Sequence, residues 1–268
     1  MPAHHARSPP TQSPVKVFLT GASSGLGSAL ARRYAAEGAV LGLYARRADS
    51  LQQLAGTLAP ATCFVYPGDV RDASSLRAAA HDFMASSGTP DVVVANAGVS
   101  IGTSTAHEGD NDVFRTVLDT NVLGMVHTFQ PFLPAFVAKK CGKLVGVASI
   151  AGFRGLPGSG AYSASKAAAI SYLESLRVEL ARSGVEVITL CPGYIATPMT
   201  ENNPYPMPFR LSADEAARLM VRAITRGRRF YVFPWQMALA GPLLRALPRP
   251  LYDLAFARAP RKPRARQA

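Results

Sequence analysis

Thr20-Gly21-Ala22-Ser23-Ser24-Gly25-Leu26-Gly27 is the stretch whose reading decides the fold. Before it stands Val15-Lys16-Val17-Phe18-Leu19-Thr20, a short apolar run with strand character. After it, Leu26 to Glu37 has the apolar spacing of an amphipathic helix. Strand, glycine-rich turn and helix, in that order, open a dinucleotide-binding unit. Glycine lets the backbone approach a pyrophosphate, and the helix N-terminus offers free N–H groups and the positive end of its dipole. A glycine-rich turn alone can be an ordinary tight loop. The spacing Gly21-x3-Gly25-x-Gly27 is much more particular.

Working outward, a second strand runs from Val40 to Tyr44 and ends in Ala45-Arg46-Arg47. An acid at this strand end would hold a ribose 2′-OH. The position reads as Ala45, followed by Arg46, and a guanidinium there can pair bidentately with a 2′-phosphate. That favours NADP(H) over NAD(H), with hydroxyls of Ser23 and Ser24 as further donors to the same phosphate. The competing reading is that the arginines only cap a surface helix starting near Asp49. Further strands are expected at Thr62–Tyr66, Val92–Ala95, Lys143–Ser149, Glu186–Cys191 and Arg229–Phe233. The fourth is apolar throughout, as a strand covered on both faces should be. Helices alternate with them, including one long stretch from about Asp110 to Lys139. Asp72 is the natural N-cap of a helix over Ser74–Met84, and Ser212 of one reaching about Thr225.

The fifth strand delivers Ser149 at its C-terminal end, where ligands bind in open parallel sheets. Tyr162 and Lys166 follow, four residues apart and so one turn apart on a helix face. A phenol, an ammonium and a hydroxyl brought together can move a proton onto or off a carbonyl oxygen.

In Thr-Gly-Ala-Ser-Ser-Gly-Leu-Gly and Tyr162-x3-Lys166 the sequence closely resembles the short-chain dehydrogenases/reductases in their single-domain form. The resemblance runs from Val15 to about Phe233. It implies an α/β fold, a Rossmann-type doubly wound parallel sheet of about seven strands. It implies a catalytic set of Asn121, Ser149, Tyr162 and Lys166, with Asn121 holding a water that links the lysine to solvent. Cofactor contacts follow from the same resemblance: Gly21, Ser23, Ser24, Gly25, Leu26 and Gly27 in the turn, and Arg46. Asp69 and Val70 would lie at the adenine, and Asn96, Ala97 and Gly98 in the Asn-Ala-Gly signature, the asparagine mainly tying strands together. Pro192, Gly193, Ile195 and Thr197 would lie at the nicotinamide, where Tyr162 and Lys166 also reach. The implied chemistry is hydride transfer between NADP(H) and a carbonyl or secondary alcohol, with Tyr162 as acid/base and its pKa lowered by Lys166. The implied assembly is a homodimer or homotetramer through two long helices.

The stretch 194–211, rich in Pro, Met and aromatics with only Glu201 and Arg210 charged, reads as a substrate lid for an apolar or lipid-like substrate. A 3-oxoacyl thioester remains an alternative. A non-catalytic nucleotide sensor on the same fold would usually lack the tyrosine or the lysine, and both are present.

Composition limits the other classes. At 268 residues and 48% apolar, the chain can bury a sizeable core. No segment reaches the ~18 consecutive apolar residues of a membrane span. Residues 1–14 lack the apolar core of a signal peptide and read as a disordered leader. Cys63, Cys141 and Cys191 have no metal spacing and suggest reduced, buried thiols in a cytoplasmic protein, with no metal expected. The net charge of +12 is uneven: from Arg226 onward ten Lys/Arg face one acid, Asp253, while the preceding 225 residues balance to +3. A nearly neutral body argues against nucleic-acid binding. The basic excess lies in an extension, 235–268, that departs from the family's usual length. It is apolar, interrupted by Pro242, Pro248 and Pro250, and ends in Arg258-Ala-Pro-Arg-Lys-Pro-Arg-Ala-Arg. Two readings stand for it: peripheral contact with an anionic membrane surface, or packing on the body or on a partner subunit. The domain reading is therefore a leader, a nucleotide-binding domain over 15–234, and this extension.

Overall fold

Alternate residues of a strand point to opposite faces, and in this chain both faces are apolar. Val17 and Leu19 of the first strand join one hydrophobic cluster while Phe18 between them joins another. The structure, a computed structural model, describes residues 13–201 and 203–264. The leader expected over 1–14 lies outside the described residues up to position 12.

The strands are β1 (Lys16–Thr20), β2 (Val40–Ala45), β3 (Cys63–Pro67), β4 (Val92–Ala95), β5 (Lys143–Val147), β6 (Glu186–Pro192), β7 (Ile195–Ala196), β8 (Leu211–Ser212) and β9 (Phe230–Phe233). Seven of them form one parallel sheet in the order β3-β2-β1-β4-β5-β6-β9. The two-residue strands β7 and β8 pair separately, closing the base of the 194–211 segment. On one face α1 (Gly25–Ala36), α2 (Ala48–Thr57) and α8 (Ala213–Thr225) cover the sheet, with Leu30, Leu51 and Met220 buried against it. On the other lie α3 (Ala73–Ser87), α4 (Asp110–Leu118), α5 (Gly124–Phe129), α6 (Leu133–Lys139) and α7 (Gly160–Glu179). Their core holds Phe83, Phe129, Phe132, Phe136 and Leu173. The extension folds as α9 (Trp235–Ala246) and α10 (Arg249–Phe256).

Helix starts follow local chemistry. Asp72 caps α3 by accepting from the Ser74 and Ser75 N–H groups. Ser212 and Glu215 form a reciprocal capping box on α8.

Two expectations are corrected. The single helix over Asp110–Lys139 is four pieces: α4, a π-helical turn over Asp119–Leu123, α5 and α6. Pro131 cannot donate an N–H and clashes with the preceding turn, so α5 stops before it. The π turn inserts an extra residue at Asn121, whose side chain is thereby aimed inward. The cysteines are not all buried either. Cys191 is, but Cys63 is only partly covered and Cys141 is exposed, because it sits in the turn after α6 rather than in a strand.

Candidate active site

The strand order reverses between β1 and β4, which opens a crevice at their carboxyl ends. The glycine turn follows β1 and Asn96 follows β4. Asn96 Nδ2 donates to the carbonyls of Thr20 and Gly21, at 3.1 and 3.2 Å, and so joins the two strand ends. Gly21 sits at φ +69°, in the left-handed region, and a Cβ there would lie 2.7 Å from Ala97 Cα. Only glycine allows this approach. The first turn of α1 keeps its N–H groups free of side-chain capping, since its N-cap, Ser24, makes no cap hydrogen bond. The result is a cradle of backbone donors at a helix N-terminus, suited to a diphosphate.

A cleft of about 440 Å³ runs from this cradle along the sheet edge. Every residue expected to bind the cofactor lines it, as do Ser149, Tyr162 and Lys166. Asn121 does not. It lies behind the wall, 1% exposed, with its Nδ2 donating to Val99 O and Ser165 Oγ at 2.9 Å each. Its Oδ1 accepts from Val99 N–H at 2.8 Å. The side chain thus holds the cleft wall and the start of α7, with both Nδ2 protons in use.

At one end of the cleft Arg46 and Arg47 are exposed beside Ser23 and Ser24. Arg47 was not singled out from sequence, yet its guanidinium donates to Ser23 Oγ at 3.4 Å. Arg47 is also the N-cap residue of α2, but its side chain makes no cap bond. Asp69 lines the cleft with its carboxylate paired to Arg71, by Nε at 3.1 Å and an Nη at 2.8 Å. That pairing holds the Asp69 carboxyl below the usual carboxylate range. One residue separates the pair in sequence, and nothing in composition marks it.

At the other end, Ser149 caps the short 3₁₀ turn Ile150–Gly152, its Oγ accepting from Ala151 N–H at 3.1 Å. One lone pair of the hydroxyl is therefore used, which leaves its proton available to the cleft. Gly152 lets this turn rest on the backbone of α7, where a Cβ would come within 2.7 Å of the Lys166 carbonyl carbon. That contact sets Ser149 against Tyr162. Burial pushes the Tyr162 phenol above its ordinary value, and the Ser149 hydroxyl beside it pulls the other way.

Lys166 is 4% exposed and donates to the Val147 carbonyl at 2.8 Å. Its Nζ stands 5.8 Å from the Tyr162 ring centre. Burial lowers its pKa to about 8, opposed by the Cys191 thiol. The ammonium is aimed at a strand carbonyl, and burial sets the direction of the phenol's shift.

Beyond Ser149 and Tyr162 the cleft opens into a second cavity of about 180 Å³. Ile150, Phe153, Leu156, Met199, Tyr205 and Met237 line it. The extension forms its roof. The Tyr252 hydroxyl donates to the Gly155 carbonyl, and Arg154 stacks over the Tyr252 ring at 4.2 Å. Farther on, Arg264 grips the buried Asp110 carboxylate with two bonds, at 2.8 and 2.9 Å. The described part of the extension therefore packs on the body. Among the described residues there is no group of three His, Cys, Asp or Glu placed to hold a metal, and no helix long and apolar enough to cross a membrane.

A parallel doubly wound sheet with an open glycine cradle at its switch point defines a dinucleotide-binding α/β protein. A family profile described as short chain dehydrogenase matches residues 16–206. An uncharacterized oxidoreductase of Myxococcus xanthus is 43% identical over 245 residues, covering 90% of this chain and 96% of that one. A short-chain dehydrogenase/reductase of Burkholderia phymatum, solved in complex with NAD, superposes with a TM-score of 0.80 at 25% identity, covering 94% and 98%. An alcohol dehydrogenase of Thermococcus sibiricus, solved with 5-hydroxy-NADP, gives a TM-score of 0.74 at 28% identity, covering 82% and 96%. The chain belongs to the short-chain dehydrogenase/reductase family and is an oxidoreductase of that family.

Proposed function

We propose that this oxidoreductase uses NADP(H) to interconvert a carbonyl and a secondary alcohol on a largely apolar substrate. One observation carries the reading. Ser149, Tyr162 and Lys166 share the wall of a cleft that joins a phosphate cradle, flanked by two arginines, to an apolar cavity. NADPH, when bound, supplies the hydride. The glycine turn would hold its diphosphate, and Arg46 and Arg47 its 2′-phosphate, with Ser23 fixed by Arg47.

The protein groups do the rest. Ser149 directs its free O–H at the carbonyl oxygen. Tyr162, protonated at neutral pH as any phenol is and the more so for its burial, gives its proton to that oxygen as negative charge develops there. The phenolate left behind lies in the field of the Lys166 ammonium, whose Nζ stands 5.8 Å from the ring centre. With a pKa of about 8, Lys166 remains charged at pH 7 yet can exchange its proton readily. Asn121 acts by fixing Val99 and Ser165, and through Ser165 the Tyr162 turn, since Ser165 Oγ also donates to the Tyr162 carbonyl at 2.7 Å. A panel of carbonyl substrates followed by NADPH absorbance tests the reading. Turnover with NADPH on apolar ketones supports it, and absence of turnover on every carbonyl class removes it.

The outer surface supports two partner proposals. Phe114, Leu123 and Val178 leave apolar side chains exposed on α4, the π turn and α7, which suits pairing with a second copy. On α9, Trp235, Leu239 and Leu243 face outward at four-residue spacing, 69%, 67% and 71% exposed. Exposed Arg245, Arg249 and Arg258 lie beside that stripe in sequence, a pattern suited to an anionic bilayer surface. Co-sedimentation with phosphatidylserine vesicles, lost on changing the three apolar residues to Ser, checks it. A change of oligomeric state instead would assign the stripe to a subunit contact.

A further inference from the structure

The extension carries a cation to the substrate side of the cleft. Lys262 lines the cavity that Ser149 and Tyr162 share, and its Nζ lies 2.7 Å from Ser100 Oγ. It is half-buried, and among the described residues no carboxylate pairs with it. Burial lowers its pKa with no charged neighbour acting against it. The cavity's other cation, Arg154, is engaged elsewhere, stacked on Tyr252 and donating to the Arg245 carbonyl at 3.2 Å.

The position of Lys262 is built rather than incidental. Residues 261–264 lie as a strap across two glycines. Arg264 makes a parallel bridge with Gly102, and a Cβ on Gly102 would fall 2.6 Å from the Lys262 carbonyl oxygen. Gly158, at φ +71°, would bring a Cβ within 2.8 Å of the Lys262 nitrogen. The Arg264–Asp110 pair then fastens the end of the strap. An ammonium held against an apolar wall is costly without a counter-charge, and the cavity leaves room for one.

We propose that Lys262 receives a carboxylate of the substrate, so that the molecule reduced is an oxo acid with an apolar chain, or in reverse the hydroxy acid. The carbonyl lies at Ser149 and Tyr162, and the carboxylate at Lys262 and Ser100. This deepens the functional reading above and rests on it for the reacting end.

Isothermal calorimetry on the full chain loaded with NADP⁺ tests it, using medium-chain aliphatic oxo acids and their methyl esters. At least one acid should bind about tenfold or more tighter than its ester, the scale of one charge-assisted hydrogen bond. Lys262→Met should abolish that preference, and Lys262→Arg should keep most of it. Equal affinity for acid and ester, binding of neither, or an unchanged preference in Lys262→Met overturns the proposal. The wild-type comparison stands even if a variant folds poorly. Acid preference without NADPH turnover would reject the reductase reading alone. Turnover of neutral ketones without acid preference would reject the role of Lys262 alone.

Discussion

Lys166 donates its ammonium to the Val147 carbonyl at 2.8 Å, from a helix onto the end of the neighbouring strand. Burial at that contact lowers its pKa from the ordinary 10.5 to about 8. Carbonyl reduction should therefore fall as pH rises through about 8, because the ammonium proposed to support the Tyr162 phenolate is lost. A pH profile of kcat/KM measures this, and a flat profile up to pH 10 would remove Lys166 from the proton path.

The same shift makes a stability prediction. Between about 8 and 10.5 the unfolded chain binds a proton that the folded chain does not, so folding gains stability as pH rises across that window. At pH 7 the burial penalty is fully present. Lys166→Met should then raise stability by about 1–3 kcal/mol at pH 7, the cost of a buried charge less one lost hydrogen bond. The gain should shrink toward pH 10. Chemical denaturation of both chains at the two pH values checks it, and a less stable variant at pH 7 would contradict it.

Arg264 and Asp110 fasten the strap over the second cavity. Arg264 is 38% exposed, so salt should weaken the pair. Arg264 also depresses the Asp110 carboxyl to about 2, so the pair persists as pH falls and is lost only as pH drops through that value. Tryptic cleavage after Arg258 and Arg261 should accelerate in Arg264→Ala, and in the wild type at high salt. Mild acid should not loosen the strap, which hydrogen exchange at pH 5 would report. Cleavage rates equal in wild type and variant would mean that the strap is held elsewhere.

Cofactor choice should follow the arginines at the end of β2. Ala45→Asp combined with Arg46→Ser should cut the NADPH/NADH preference at least about tenfold, by replacing a phosphate partner with a repelling carboxylate. Arg47→Ala should weaken NADPH as well, which the sequence alone did not suggest. Fluorescence titration of both nucleotides decides the matter. An unchanged ratio in both variants would take the arginines out of discrimination.

Tyr34 in α1 buries its hydroxyl with no partner among the described residues. Tyr34→Phe should stabilise the chain by roughly 1 kcal/mol, the desolvation cost of an unpaired hydroxyl. A loss of stability would mean that the hydroxyl is hydrogen-bonded in solution.

What was legible in the sequence was local. The glycine spacing needs a particular backbone, Tyr162 and Lys166 need only one helical turn between them, and the strands are short apolar runs. These gave the sheet and the cleft. What was not legible depends on where side chains turn after folding. Arg47 reaches Ser23 across the cleft mouth, and Asp69 turns to Arg71. Asn121 spends its amide on Val99 and Ser165 because a π turn re-aims it, and no local residue signals that insertion. Lys262 lies 162 residues from Ser100 in sequence. Its neighbourhood, Arg261-Lys262-Pro263-Arg264, reads locally as a solvated basic tail. Only Gly102 and Gly158, which make room for it, hint otherwise, and glycines in loops have many uses.

The central claim is that Tyr162 gives its proton to a carbonyl oxygen as hydride arrives. Tyr162→Phe removes that hydroxyl and little else, and single-turnover reduction by bound NADPH reads the consequence directly. Turnover should fall by at least about a hundredfold, the lower range for a general acid, with NADPH affinity nearly unchanged. Full activity in Tyr162→Phe would contradict it.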